Sequence, residues 1–80
     1  MRLSEAPIWS TARRHHVDDD DIRHALRRWV AINDADEEVT LFLGPDQAGN
    51  LIEVGVLDTD DGPAIIHAMR PARGFKFQAE

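Results

Sequence analysis

The clearest hydrophobic rhythm in the chain starts at Val17. Ile22, Ala25, Leu26 and Trp29 fall at i, i+3, i+4 and i+7, the single apolar stripe of an amphipathic helix, while Arg23, His24, Arg27 and Arg28 take the opposite side. Asp18 suits an N-cap, Asp21 sits three residues later where an acid favours exposed N–H groups, and Val17 with Ile22 has the spacing of a hydrophobic staple. A helix is therefore predicted to begin at Asp18. Its acids come first and its bases last, as the helix dipole prefers.

Beyond Trp29 the period shortens to that of strands. Val30 and Ile32 predict a short strand from Val30, leading into a turn at Asp34 to Glu38. Val39 to Leu43 and Leu51 to Leu57 read as a hairpin whose loop is the turn-forming run Gly44 to Asn50. In the second of these strands Ile52, Val54 and Val56 share one face, with Glu53 and Gly55 on the other. Asp58, Asp60, Asp61, Gly62 and Pro63 make the next turn, and Ala64 to Met69 the last strand. Strict alternation there puts Ala64, Ile66 and Ala68 on one face and Ile65, His67 and Met69 on the other. Met1 to Thr11 lacks a period and reads as a loop or short edge strand; Phe75 and Phe77 have strand-like spacing in the tail. The expected fold is α+β: one N-terminal amphipathic helix packed on a three- to four-stranded antiparallel β-meander, residues 1–80 forming a single domain.

Eighty residues are too few for two cores, and stability at this size is marginal, so a partner chain or a second copy would add useful burial. The composition, 42% hydrophobic and 30% charged, is that of a folded domain. With no cysteine, disulfides, zinc–thiolate sites and thiol nucleophiles are excluded, and a reducing cytoplasm is the expected compartment. No stretch approaches the roughly 20 apolar residues of a membrane span, and the first thirty residues lack a signal-like apolar run.

The net charge of −6 argues against nucleic acid as a partner, because phosphate binding is driven by Lys and Arg displacing counterions. Its distribution weakens that objection. Acid collects at Asp18 to Asp21, Asp34 to Glu38 and Asp58 to Asp61, and base at Arg13 to His16, Arg23 to Arg28 and Arg70 to Lys76. Two readings follow: a local basic face, or solvated acidic turns whose salt-bridge partners are the arginines.

Two clusters offer chemistry. Arg13, Arg14, His15 and His16 lie just before a helix N-terminus, where free N–H groups can hold an anion, although Asp18 to Asp21 compete for the same groups and make a capped exposed turn the alternative. His67, Arg70, Arg73 and Lys76 gather at and beyond the last strand, with His67 either facing the core or flooring a groove. No metal site is expected: His24 has no second ligand at i+4, and the Asp run lacks the alternation and central glycine of a calcium loop. Neither a glycine-rich phosphate loop nor a serine nucleophile motif occurs. No cofactor is implied.

Several short motifs occur in a familiar order. Arg14-His15-His16-Val17, followed by the acidic helix start and Ile22-Arg23-His24-Ala25, resembles the K/R-H-G-V-S-x-x-E/D-A opening of the BrnT family. Val39 to Gly44, then Asp46, Gly49 and Leu51 to Val56, is similar to that family's hairpin with a D-x-x-G-R/N-L turn. Ile65-Ile66-His67-Ala68 with Arg70 and Arg73 is similar to its I-I-S-A-R-K close. The likeness spans residues 13 to 73. This sequence differs in having His16 for the usual glycine, Met69 where the first closing arginine would fall, and an acidic total charge.

The resemblance implies a RelE-like fold and the toxin role of a bacterial type II toxin–antitoxin system: a metal-independent ribonuclease held inactive by a cognate antitoxin protein. It matches His15 to the family's helix-start histidine, and Arg70 or Arg73 to its arginine after the last strand. Cleavage would be attack of a ribose 2′-hydroxyl on the adjacent phosphate, with His15 or His67 as base or acid and Arg14, Arg70 and Arg73 stabilising charge. Arg13, Arg14, Arg23, Arg27, Arg28 and Lys76 would then bind RNA. The alternative is a non-catalytic module, a degenerate toxin that binds a partner protein, which the negative charge and Met69 favour.

Overall fold

The computed structural model of the chain describes residues 2–72 and the backbone of 78–79. It is an α+β fold, one helix packed on an antiparallel meander. Helix α1 runs Asp19–Arg27, strand β1 Ala31–Asp34, β2 Val39–Pro45, β3 Leu51–Thr59 and β4 Gly62–Met69. The meander order is β4-β3-β2-β1, and a two-residue strand β5, Gln78–Ala79, pairs outside β1. The tail thus does pair at an edge, while Phe75 and Phe77 lie outside the described residues. Among the described residues no helix is long and apolar enough to cross a membrane.

The helix is not N-terminal. Two 3-10 turns, Leu3–Glu5 and Ser10–Arg13, precede it, and between them Ile8 bridges Ile65 in parallel along the outer side of β4. Trp9 N–H donates to the Ile65 carbonyl at 2.9 Å and Ile65 N–H to the Pro7 carbonyl at 2.8 Å. This leading segment satisfies an edge that would otherwise present free backbone groups.

The predicted stripe forms the core. Ile22, Ala25 and Leu26 pack with Val17, Phe42, Ile52, Val54, Val56, Ile65 and Ala68, joined by Ala6 and Ala12 from the leading segment and by half-buried Trp29, whose ring meets Phe42 edge-on at 5.7 Å. Asp18 does hold the extended N-cap backbone, and its carbonyl accepts the Ile22 N–H at 3.0 Å, but its side chain makes no capping bond. The close fit of α1 on the sheet depends on Gly44: a Cβ there would collide with the carbonyl oxygen of Ala25, so only glycine lets the helix approach β2.

Strict alternation fails in β4. A bulge at Gly55/Val56 of the β3–β4 pairing sets Gly55 opposite His67 but Val56 opposite Ile65, leaving Ile66 as the extra residue. Ile65 and Ala68 therefore both face the helix-side core, whereas Ile66 and His67 turn to the other face. The expected grouping of Ile66 with Ala68, and of Ile65 with His67, is corrected by this one inserted residue.

Candidate functional site

The sheet face opposite α1 carries the only two histidines whose rings meet among the described residues. His67 lies on β4 next to Gly55 of β3, and that glycine is needed: a Cβ would stand 3.0 Å from His67 Cβ and 3.3 Å from Leu41 Cδ2. Glu53, two residues before Gly55 and therefore on the same face, is 2% exposed, and its Oε2 lies 2.7 Å from His67 Nε2. A carboxylate can only accept, so it fixes the Nε2–H tautomer of neutral His67 and leaves the lone pair on Nδ1. His15 reaches the same place from the turn before α1, its ring edge-on to His67 with centroids 5.9 Å apart.

These side chains open into two adjoining clefts. One, about 310 Å³, is bounded by Trp9, Arg14, His15, Ile66 and His67; the other, about 430 Å³, by Arg14, His15, His16, Met69 and Arg70. Arg14 and His15 stand between them. The fold thus unites Arg14 and His15 with His67 and Arg70, two pairs far apart in sequence, around one surface. Arg73 and Lys76 lie outside the described residues.

Two of the other described arginines, Arg13 and Arg23, are engaged elsewhere. Arg13 forms a forked pair with Asp19, 3.1 Å from Nε and 2.8 Å from Nη2, which ties the leading segment to the first turn of α1. Arg23 donates from Nη1 to the carbonyls of Ser4 and Ala6 at 2.8 and 2.9 Å, so it fastens the first 3-10 turn onto the helix and does not lie on a free polar face. His24 likewise meets the Pro45 carbonyl through Nδ1 at 2.8 Å. Arg27 and Arg28 are exposed at the far end of α1, where with Arg2 and Trp29 they border a separate cleft of about 580 Å³.

Arg70 borders the site with its guanidinium already used. Its Nε lies 2.9 Å from Asp46 Oδ2, and its Nη2 lies 2.9 Å from the same oxygen and 3.1 Å from Asp21 Oδ2. Asp46 is 2% exposed and organises the β2–β3 turn, accepting the N–H groups of Ala48 and Asn50 on Oδ1 at 3.0 and 2.8 Å. Burial pushes the Asp46 carboxyl up, but the Asn50 N–H, the Arg70 side chain and the Ala48 N–H together outweigh it and hold it below the usual range. Asp21 is held low chiefly by the Gln47 backbone N–H, against burial, and Asp19 chiefly by Arg13. The acids expected to screen the helix N-terminus thus have specific partners: Asp19 holds Arg13, and Asp21 holds Gln47 and Arg70.

His16 occupies the left-handed region with φ 61°, the one non-glycine with positive φ among the described residues. Among those residues, no three His, Asp or Glu side chains come together as a set that could hold a metal ion. Sequence reasoning did not single out Glu53, whose signal was a lone acid in the apolar run Leu51 to Leu57, nor Asp46 beyond its turn role, nor Trp9. Comparison of the chain with protein-family models, with curated proteins and with solved structures finds no match in any of the three.

Proposed function

We propose that this chain cleaves RNA without a metal ion, as the toxin of a bacterial type II toxin–antitoxin pair acting in the cytoplasm under the control of a cognate antitoxin protein. The observation that carries the reading is the edge-on pair of His15 and His67, with Glu53 fixing the tautomer of the inner ring. Internal transfer to a phosphate needs a base and an acid, roles that two imidazoles can fill. His67 Nδ1 takes the 2′-hydroxyl proton, the 2′-oxygen forms a bond to phosphorus, and the bond to the 5′-oxygen breaks. His15, as imidazolium, gives that oxygen a proton. The products are a 2′,3′-cyclic phosphate and a 5′-hydroxyl, and Arg14, which lines the same cleft, would stabilise the charge that develops on phosphorus oxygens.

The left-handed backbone of His16 adds support, since it falls where the BrnT pattern carries glycine, the residue that adopts this conformation freely. Induced expression of the chain should arrest bacterial growth, and His15→Ala with His67→Ala should relieve it. Absence of arrest together with absence of RNA cleavage by the unmutated chain would end the enzyme reading.

A second reading has its own observation. Arg70 and Arg13 are committed to carboxylates, which leaves Arg14, among the described residues, as the one arginine of the cleft outside any ion pair. That favours a non-catalytic module that binds a partner protein. Capture of the neighbouring gene product without any nuclease activity would decide for it.

A further inference from the structure

Three tryptophan and phenylalanine side chains fall among the described residues, and two of them serve the core: Phe42 is buried and Trp29 packs edge-on against it. The third, Trp9, is 44% exposed and borders the cleft of Arg14, His15 and His67. Val30 and Leu51 are also exposed, but of these three only Trp9 borders the cleft of the two histidines.

Its backbone is fixed on both sides. Trp9 N–H donates to the Ile65 carbonyl and the Trp9 carbonyl accepts the Ala12 N–H, both at 2.9 Å. Pro7 and Ile8 on one flank are held by Ile65 N–H and by Arg13 Nη1, and Arg13 is itself anchored on Asp19. The indole is therefore carried by a braced segment, and a braced aromatic loses little freedom when a ligand covers it.

We infer that Trp9 is a stacking platform for a nucleobase, with Arg14 taking the phosphate beside it and delivering that phosphate to the His15–His67 pair. The inference rests on the RNA-cleaving reading of this cleft and names how the substrate is held. Stacking is open to any base because every base has a π-face, so the platform supplies affinity and register and little sequence preference. Arg14 supplies the charge that a net-acidic chain otherwise lacks at this surface.

The test is binding of an uncleavable 2′-O-methyl hexanucleotide, compared with a sugar–phosphate hexamer lacking bases. In a Trp29→Phe chain the remaining indole emission reports Trp9, and in the unmutated chain the fluorine resonances of incorporated 5-fluorotryptophan report both indoles. The hexanucleotide should quench Trp9 emission and shift its resonance, and the abasic hexamer should do neither. Trp9→Ala should weaken hexanucleotide binding about tenfold and leave the abasic hexamer unaffected, whereas Trp9→Phe should retain most of the affinity.

Hexanucleotide binding that Trp9→Ala leaves unchanged, binding that never perturbs the Trp9 signal, or absence of binding would overturn the platform. So would a dimer in sedimentation that Trp9→Ala dissolves, because the indole would then belong to a contact between copies. Cleavage of unmodified RNA is scored separately. Quenching without cleavage leaves the platform standing and removes the nuclease; cleavage with an unaltered KM in Trp9→Ala does the reverse.

Discussion

Glu53 Oε2 and His67 Nε2 lie 2.7 Å apart across the β3–β4 pairing, with the carboxylate almost wholly removed from solvent and the imidazole 30% exposed at the cleft. A buried acid in the middle of an apolar strand costs stability unless it is bonded, and here its bond also selects which nitrogen of a neutral ring carries the hydrogen. Glu53 is thus a positioning residue for His67.

Glu53→Gln keeps the shape and an acceptor but removes the charge. A hydrogen bond to a charged group contributes about 1.5–3 kcal/mol, so RNA cleavage should fall about 10- to 100-fold. The ring nitrogen shifts of His67 should report a single Nε2–H tautomer in the unmutated chain and a mixture in the variant. A merely structural role would lower the melting temperature and leave that tautomer signature in place.

Gly44 is the contact that lets α1 rest on β2. Gly44→Ala puts a methyl into the Ala25 carbonyl, and backbone cannot swing aside as a flexible side chain can. The expected cost is about 3 kcal/mol, a large part of what holds a domain this size together. Urea unfolding measures it, and an unchanged midpoint would show that the helix is not seated as described.

His16 at φ 61° should respond in opposite directions to two substitutions. His16→Gly removes a left-handed penalty of about 1–2 kcal/mol and adds unfolded-chain entropy of about 0.4–1 kcal/mol, a net gain of up to about 1.6 kcal/mol. His16→Val, branched at Cβ, should lose stability. Thermal melts of the pair test this, since equal effects of both would argue against a left-handed residue at this turn.

Asp19, Asp21 and Asp46 all have carboxyls held below their ordinary range by partners made only on folding. A carboxyl lowered in the folded state contributes stability that is fully present above its unfolded pKa, about 3.9, and is lost as pH falls through the folded value. Urea midpoints should stay level with respect to these groups between pH 7 and 5 and fall below about pH 4. Asp46→Asn should flatten that acid limb, and an identical limb in the variant would contradict the role given to Asp46.

The helix and the four strands were legible in the sequence because each has a strong period and clear turn residues at its ends. The bulge was not, because one inserted residue leaves no mark in the composition of β4, yet it decides that Ile65 faces the core while Ile66 and His67 face the cleft. The arginines were legible as charge but not as free charge. Arg13, Arg23 and Arg70 find their partners 6, 17 and 24 residues away, separations that no local pattern encodes. Glu53 was visible as an odd residue in its strand, and only the pairing of β3 with β4 supplied His67 as its partner.

The proposed chemistry is the joint action of His15 and His67 on RNA. It is tested most directly by incubating the purified chain with end-labelled RNA in excess chelator and analysing the new ends. Fragments ending in 2′,3′-cyclic phosphate, lost on His15→Ala or His67→Ala at unchanged folding, are the result predicted. Intact RNA with the unmutated chain, or cleavage that survives both substitutions, would contradict it.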